Sequence, residues 1–309
     1  MKLAMVFPGQ GSQAVGMLKS YAGLPEIDAV RAEAAEVLGA RFLPLLDDGP
    51  AEALSQTVNT QPAMVTAGYA AYRAWRALGG PAPELAAGHS LGEYTALTAA
   101  GAMRFADALP LVHFRAQAMQ EAVPAGKGAM AAILNLDDEH VVAACAEAGG
   151  TVQAVNFNAP GQVVIAGEKA AVERAIEKCK ARGAKRALPL PVSAPFHSTL
   201  MQPAAERLKG HIRGLHLAKP QFAVLNNVDV AIEHEPTRIK EALVRQAASP
   251  VRWVETIRRM VELGATHILE CGPGRVLGGM TKRIAPQVQS LTLHDRASLE
   301  AALHALQAA

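Results

Sequence analysis

The sequence predicts an α/β protein: a mostly parallel sheet with helices on both faces, interrupted by a small βαββαβ unit. Three observations predict it. Short apolar runs alternate with Ala-rich helical stretches through both outer parts of the chain, the order that winds a parallel sheet. Between them the rhythm changes, and four strand-like runs enclose two helix-like ones from Ala129 to Val192. Gly- and Pro-rich turns such as Pro8-Gly9-Gln10-Gly11, Gly79-Gly80-Pro81 and Gly272-Pro273-Gly274 punctuate the outer parts of the chain at the ends of these runs.

Taken in order, Leu3 to Phe7 is a buried strand cut off by Pro8-Gly9-Gln10-Gly11. Helices follow at Asp28 to Leu38 and at Pro62 to Leu78, the second with Pro at its start and Gly79-Gly80-Pro81 after its end. Glu84 to Gly88 is a strand that runs through His89-Ser90-Leu91-Gly92 into the helix Glu93 to Ala100, and Asp107 to Glu121 is helical again. Ala129 to Leu134, Val152 to Phe157, Gln162 to Ala166 and Arg186 to Val192 read as strands, with helices at Asp137 to Ala148, capped by Asp137, and Lys169 to Arg182. This is the split-βαβ pattern of a ferredoxin-like unit, with Pro189 to Pro195 as the return crossing. Beyond it come a helix at Ser198 to His211, a strand at Phe222 to Asn226, helices at Thr237 to Ala247 and Val254 to Leu263, and a strand at His267 to Cys271. That strand runs into Gly272-Pro273-Gly274 and a helix. Residues 1–125 and 196–309 are therefore expected to form a core, and 126–195 an insert.

Composition excludes several function classes. Thirty basic against twenty-eight acidic side chains leave a formal charge of +2, without the one-sided field of a nucleic-acid binder. The longest charge-free stretch, Ala53 to Tyr72, carries Ser55, Gln56, Thr57, Asn59, Thr60, Gln61 and Pro62 and cannot be a membrane span. Leu3 to Phe7 is shorter than the ~7–15 apolar residues of a secretory core region, so a cytoplasmic protein is expected. Cys145, Cys179 and Cys271 are odd in number and unpaired in spacing, and read as buried or incidental thiols. No HxxxH or HExxH spacing suggests a metal.

Two loops carry candidate chemistry. Gly88-His89-Ser90-Leu91-Gly92 matches GxSxG between a strand and a helix, the context of a nucleophile elbow. There the serine adopts a strained conformation, and only glycine leaves room for the crossing strand and helix. The bland alternative is a helix entry, with Ser90 and Glu93 forming an S-x-x-E capping box. Gly9, Gly11 and Ala14 formally satisfy GxGxxG/A, but helix pattern fills the region where a dinucleotide site needs its second strand and acid. What remains is a loop that brings a backbone N–H, such as that of Gln10, to an anionic oxygen, or an ordinary turn.

Arg115 lies on the apolar stripe of its helix, between Leu111 and Ala118-Met119. A fork pressed into such a face wants a carboxylate or phosphate, while periodicity alone favours a side chain that snorkels or pairs with one of the chain's own acids. Of ten histidines, His197 follows Pro195-Phe196 on a loop after a strand, where a general base commonly sits. His89 is held too tightly by the elbow to reach the Ser90 hydroxyl and reads as structural.

Pro8-Gly-Gln-Gly-Ser-Gln13, Gly88-His-Ser-Leu-Gly-Glu93, Gln117 to Pro124, Asn156 to Gly167, Leu188-Pro-Leu-Pro-Val192 and Pro195-Phe-His197 together resemble the bacterial malonyl-CoA:acyl carrier protein transacylases, in order and over nearly the whole chain. The resemblance implies an α/β-hydrolase-like core with a ferredoxin-like insert. It makes Ser90 the nucleophile, His197 its base, the backbone amides of Gln10 and Leu91 an oxyanion hole, and Arg115 the binder of the malonyl carboxylate. It gives the orientation of His197 to the main-chain carbonyl of Gln246 instead of an acid, although Ser249 stands where family members often carry Asn. The implied reaction is ping-pong malonyl transfer from malonyl-CoA to acyl carrier protein in fatty acid synthesis, with no permanently bound cofactor and no metal. An acidic carrier protein would meet exposed cations such as Arg182, Lys185, Arg186, Lys282 or Arg283. Two other readings share these residues: a serine hydrolase with water as acceptor, and a non-catalytic scaffold that binds the carrier protein.

Overall fold

A computed structural model describes residues 1–192 and 194–307. Ser193, within the expected return crossing, and Ala308 and Ala309, at the end of the expected core, lie outside the described residues. The strands are β1 (Leu3–Phe7), β2 (Leu85–Gly88), β3 (Gly128–Leu134), β4 (Val152–Ala159), β5 (Gln162–Glu168), β6 (Arg186–Pro189), β7 (Ala223–Leu225), β8 (His267–Cys271) and β9 (Gln289–Leu293). They form two sheets. The first has the order β7-β2-β1-β8-β9 with every neighbouring pair parallel. The second has the order β4-β5-β3-β6 and is antiparallel.

The parallel sheet is buried on both faces, as helical crossovers require. Alternate residues divide between two cores. Met5, Phe7, Ala86 and Leu269 pack under the helices Pro25–Leu38, Thr57–Ala77 and Phe105–Glu121. Ala4, Val6, Leu85 and Ile268 pack on the other side against Trp253 and Ile257 of helix Trp253–Glu262 and Leu277 of helix Val276–Ile284. Register then places the site: Phe7 lies opposite Gly88, so the loops after β1 and β2 leave the sheet side by side at its C-terminal edge.

One face of the antiparallel sheet is covered by the helices Asp138–Ala148 and Lys169–Ala181. From the other face Met130, Val155, Val164 and Ala166 meet Leu190, Val192 and Phe196. Val251 joins the two sheets, taking the Phe157 N–H at 3.0 Å and donating to the Val155 carbonyl at 2.8 Å. Arg283 adds a second tie, donating to Gln162 Oε1 at 2.6 Å and to the Pro160 carbonyl at 2.7 Å.

Several element expectations change. The second helix starts at Thr57 and runs through Pro62, whose ring sacrifices only the bond to the Val58 carbonyl near the helix start. Segment 186–192 is strand only as far as Pro189; Leu190 N–H still reaches the Met130 carbonyl at 2.9 Å, but Pro189 and Pro191 lack ladder donors. Asp137 occupies the N-cap position but its side chain makes no capping bond. Helices Phe42–Asp48, Ala51–Leu54 and Arg296–Gln307 and strand β9 were not read from the sequence. All three cysteines are free and buried.

Candidate active site

The chain leaves β2 at Gly88, turns at His89-Ser90, and enters helix Gly92–Ala99. Ser90 has φ +52°, in the left-handed region that non-glycine residues enter at a cost of about 1–3 kcal/mol. The flanking glycines are steric necessities. A Cβ on Gly88 would fall 1.8 Å from the Gly92 carbonyl carbon, and one on Gly92 would fall 2.1 Å from the Phe7 carbonyl oxygen. The capping-box alternative does not hold. The Ser90 N–H goes to Asn227 Oδ1 at 2.7 Å, and Glu93 turns inward, 2% exposed, away from the chain entry.

Ser90 Oγ lies 2.6 Å from His197 Nε2, and His197 Nδ1 lies 2.9 Å from the Gln246 carbonyl. A carbonyl has no proton to give, so Nδ1 carries the hydrogen and Nε2 offers its lone pair to the hydroxyl. Burial, followed by the nearby Arg115 charge, pushes the His197 imidazole down to about 3, which keeps it neutral. His197 also has a positive φ, +64°. The Gln246 carbonyl ends helix Pro236–Gln246, where carbonyls are left without helical partners, and Ser249 N–H approaches it at 3.4 Å. Among the described residues, no acid is bonded to His197.

Arg115 is 1% exposed, so it does not snorkel, and among the described residues it forms no ion pair with an acid. Its Nη1 donates to Gln61 Oε1 at 2.9 Å and its Nη2 to Gln246 Oε1 at 2.8 Å, with Ser90 Oγ 3.3 Å from Nη2. Nε has no partner among the described residues. The guanidinium also lies over the Tyr94 ring, 5.3 Å from its centroid. Burial lowers its pKa, while the delocalised guanidinium is the most basic of the side chains and keeps its charge.

The loop after β1 closes the other side. A Cβ on Gly9 would meet the His89 carbonyl at 2.5 Å and Leu91 Cβ at 3.8 Å, so the two loops touch. The amides of Gln10 and Leu91 make no hydrogen bond among the described residues. His89 faces away: its Nε2 meets Asn158 Oδ1 at 2.7 Å and its ring stands edge-on to Trp253. Together Ser90, His197, Arg115, Gln10 and Leu91 line a hollow of about 130 Å³. Gln61 lies on its polar side, and Met119, Met130, Leu190, Val192 and Phe196 form its apolar wall.

All six sequence-derived candidates thus converge here, Gln246 through its carbonyl. Sequence reasoning missed Gln61, Asn227 and the inward Glu93 carboxylate. Gln61 is 3% exposed and Asn227 0%, but a single polar residue beside apolar neighbours carries no sequence signal of burial. Among the described residues no group of three or more His, Cys, Asp or Glu side chains could hold a metal ion, and no helix is long and apolar enough to cross a membrane.

Residues 4–291 match the acyl transferase domain family. The malonyl CoA-acyl carrier protein transacylase of Escherichia coli (strain K12) is 52% identical over 98% of this chain and 99% of its own, and that of Bacillus subtilis (strain 168) is 44% identical over 99% and 98%. The crystal structure of acyl-carrier-protein S-malonyltransferase from Burkholderia pseudomallei superposes with a TM-score of 0.97 at 58% identity, over 98% of this chain and 100% of that one. A malonyl-transacylase solved in complex with a type II PKS acyl-carrier protein superposes at 0.96 and 52% identity, over 98% and 99%. The chain belongs to the acyl transferase domain family and, within it, to the malonyl CoA-acyl carrier protein transacylases.

Proposed function

We propose that this chain moves a malonyl group from CoA to the phosphopantetheine thiol of acyl carrier protein, in fatty acid synthesis, through a malonyl ester on Ser90. His197 Nε2 takes the Ser90 proton as Oγ attacks the thioester carbonyl, and the Gln10 and Leu91 amides hold the oxyanion that forms. Collapse of this tetrahedral species expels the CoA thiolate, which takes the proton back from His197. In the second half-reaction the carrier thiol gives its proton to His197 and attacks the ester, and Ser90 regains the proton as it leaves. Arg115 binds the malonyl carboxylate throughout: its guanidinium is bonded to two amides and the Ser90 hydroxyl, and the substrate brings the acid that pairs its charge. Gln246 orients His197. No bound cofactor is required, and malonyl-CoA serves as substrate.

The observation that carries this reading is the 2.6 Å contact between Ser90 and His197 with a buried arginine on the same hydroxyl, inside an apolar hollow that disfavours water as the acceptor. Initial rates with malonyl-CoA and holo carrier protein varied together should give parallel reciprocal lines. Steady release of free malonate without carrier protein would make the chain a hydrolase instead.

A finer architecture goes with this reading. The antiparallel sheet has the 4-1-3-2 order of a ferredoxin-like unit, which supports 126–195 as an insert in an α/β-hydrolase-like core of 1–125 and 196–309. A cytoplasmic setting goes with it too. For carrier-protein docking, Lys185, Arg186 and Lys282 are exposed without a side-chain partner among the described residues, whereas Arg182 pairs with Glu147 and Arg283 holds the β4–β5 turn. Lys185→Glu and Arg186→Glu should each raise the carrier-protein KM and leave the malonyl-CoA KM alone. An unchanged carrier-protein KM would remove both from the docking face.

A further inference from the structure

Three separate segments meet behind the hollow on one carboxylate oxygen. Glu93 Oε2 accepts the Asn227 N–H at 2.9 Å and the Gln246 Nε2–H at 2.8 Å. Glu93 is 2% exposed, and Asn227 and Gln246 are both 0% exposed. Each partner then grips the site. Asn227 clamps the elbow from both sides, its Oδ1 taking the Ser90 N–H and its Nδ2 donating to the Gly88 carbonyl, each at 2.7 Å. Gln246 donates a second Nε2 bond to the Ser90 carbonyl at 2.9 Å, and its Oε1 accepts from Arg115. Its orientation is fixed, because a flipped amide would face oxygen to two oxygens and nitrogen to a guanidinium. Its main-chain carbonyl meets His197.

Resting on the acyl-transfer reading above, we propose that Glu93 is a positioning residue for Ser90 acylation: its Oε2 locks the Gln246 amide and the Asn227 backbone, and through them sets Ser90, His197 and Arg115 in one register. Glu93 touches no reacting atom. The demand it meets is an acceptor oxygen at a given reach, and an amide oxygen at the same reach meets it nearly as well. A carboxylate one methylene shorter, withdrawn by about 1.5 Å, does not. Geometric fit therefore outranks charge at this position.

The test compares Glu93→Gln, Glu93→Asp and Glu93→Met, with kcat for malonyl loading expressed per active site titrated by the acylation burst, so that misfolded protein does not count. Glu93→Gln should slow acylation about threefold, while Glu93→Asp and Glu93→Met slow it about 10–100-fold, the scale of an ångström-level misplacement. KM for malonyl-CoA should stay within about threefold in all of them. The proton resonance of His197 Nδ1–H should persist in Glu93→Gln and broaden or vanish in Glu93→Asp. Where Glu93→Met yields no folded protein, the Asp and Gln pair alone decides. Glu93→Asp as fast as Glu93→Gln would overturn the proposal, as would equal losses in Glu93→Gln and Glu93→Met. Wild-type protein that transfers no malonyl group would instead overturn the reading on which it rests.

Discussion

Replacing Arg115 by alanine separates substrate selection from chemistry. The Arg115 Nη1 and Nη2 groups are tethered to Gln61 and Gln246, and Nε is unpartnered, so the head group is held in place with donor capacity to spare. A malonyl carboxylate accepting two charge-assisted bonds here gains about 1.5–3 kcal/mol from each, or about 3–6 kcal/mol together. That corresponds to a loss of about 10²–10⁴ in kcat/KM for malonyl loading. Acetyl-CoA offers no carboxylate, and the substitution costs it only the long 3.3 Å contact with Ser90 Oγ and the loosened Gln246, a loss within about tenfold. The assay is single-turnover acylation followed by intact mass, with each thioester in parallel. Equal losses for malonyl and acetyl would show that Arg115 supports the elbow and does not read the acid.

The elbow and the buried titrating groups give further expectations. Gly92→Ala should abolish soluble, active protein or lower its unfolding free energy by more than about 3 kcal/mol, because its Cβ would meet the Phe7 backbone oxygen at 2.1 Å and neither chain can retreat; a wild-type melting curve would contradict the packing argument. With the His197 imidazole held down to about 3, the base stays neutral, and acylation rates should show no His197 limb between pH 5 and 7. Stability should respond with opposite signs at the two buried groups. His197, depressed from 6.5, stabilises the fold fully above 6.5 and loses that contribution as pH falls toward 3. Glu93, pushed by burial from 4.5 up to about 7, stabilises the fold fully below 4.5 and loses that contribution as pH rises to 7. Glu93→Gln removes the second slope, so it should gain on wild type by about 2 kcal/mol between pH 4.5 and 6.5; a pH-independent difference in urea unfolding would contradict it.

Much of this site was legible because its constraints are local. The elbow needs glycine two residues either side of Ser90, and the strand-turn-helix context is written in one stretch of sequence. The roles assigned to His197, Arg115 and Gln246 came from resemblance, and the bonds that bring them together span 107, 25 and 49 residues of chain, out of reach of any periodicity. Arg115 shows the difficulty most clearly. Its apolar stripe says only that it lies on a buried face, and the amides of Gln61 and Gln246 that let a cation stay there come from two other helices. Glu93 looked like half of a capping box until tertiary partners claimed its carboxylate. Strand β9 escaped notice because it is an edge strand whose residues are mostly half-exposed, without the continuous apolar run that betrayed β1 and β8.

The most direct measurement is intact mass of wild-type protein and Ser90→Ala after brief exposure to malonyl-CoA, then after addition of holo acyl carrier protein. One malonyl group should appear on wild type, map to Ser90, and leave for the carrier thiol, while Ser90→Ala stays unmodified. A malonyl adduct on Ser90→Ala, or transfer to the carrier that proceeds at the wild-type rate without Ser90, would contradict a seryl-enzyme mechanism.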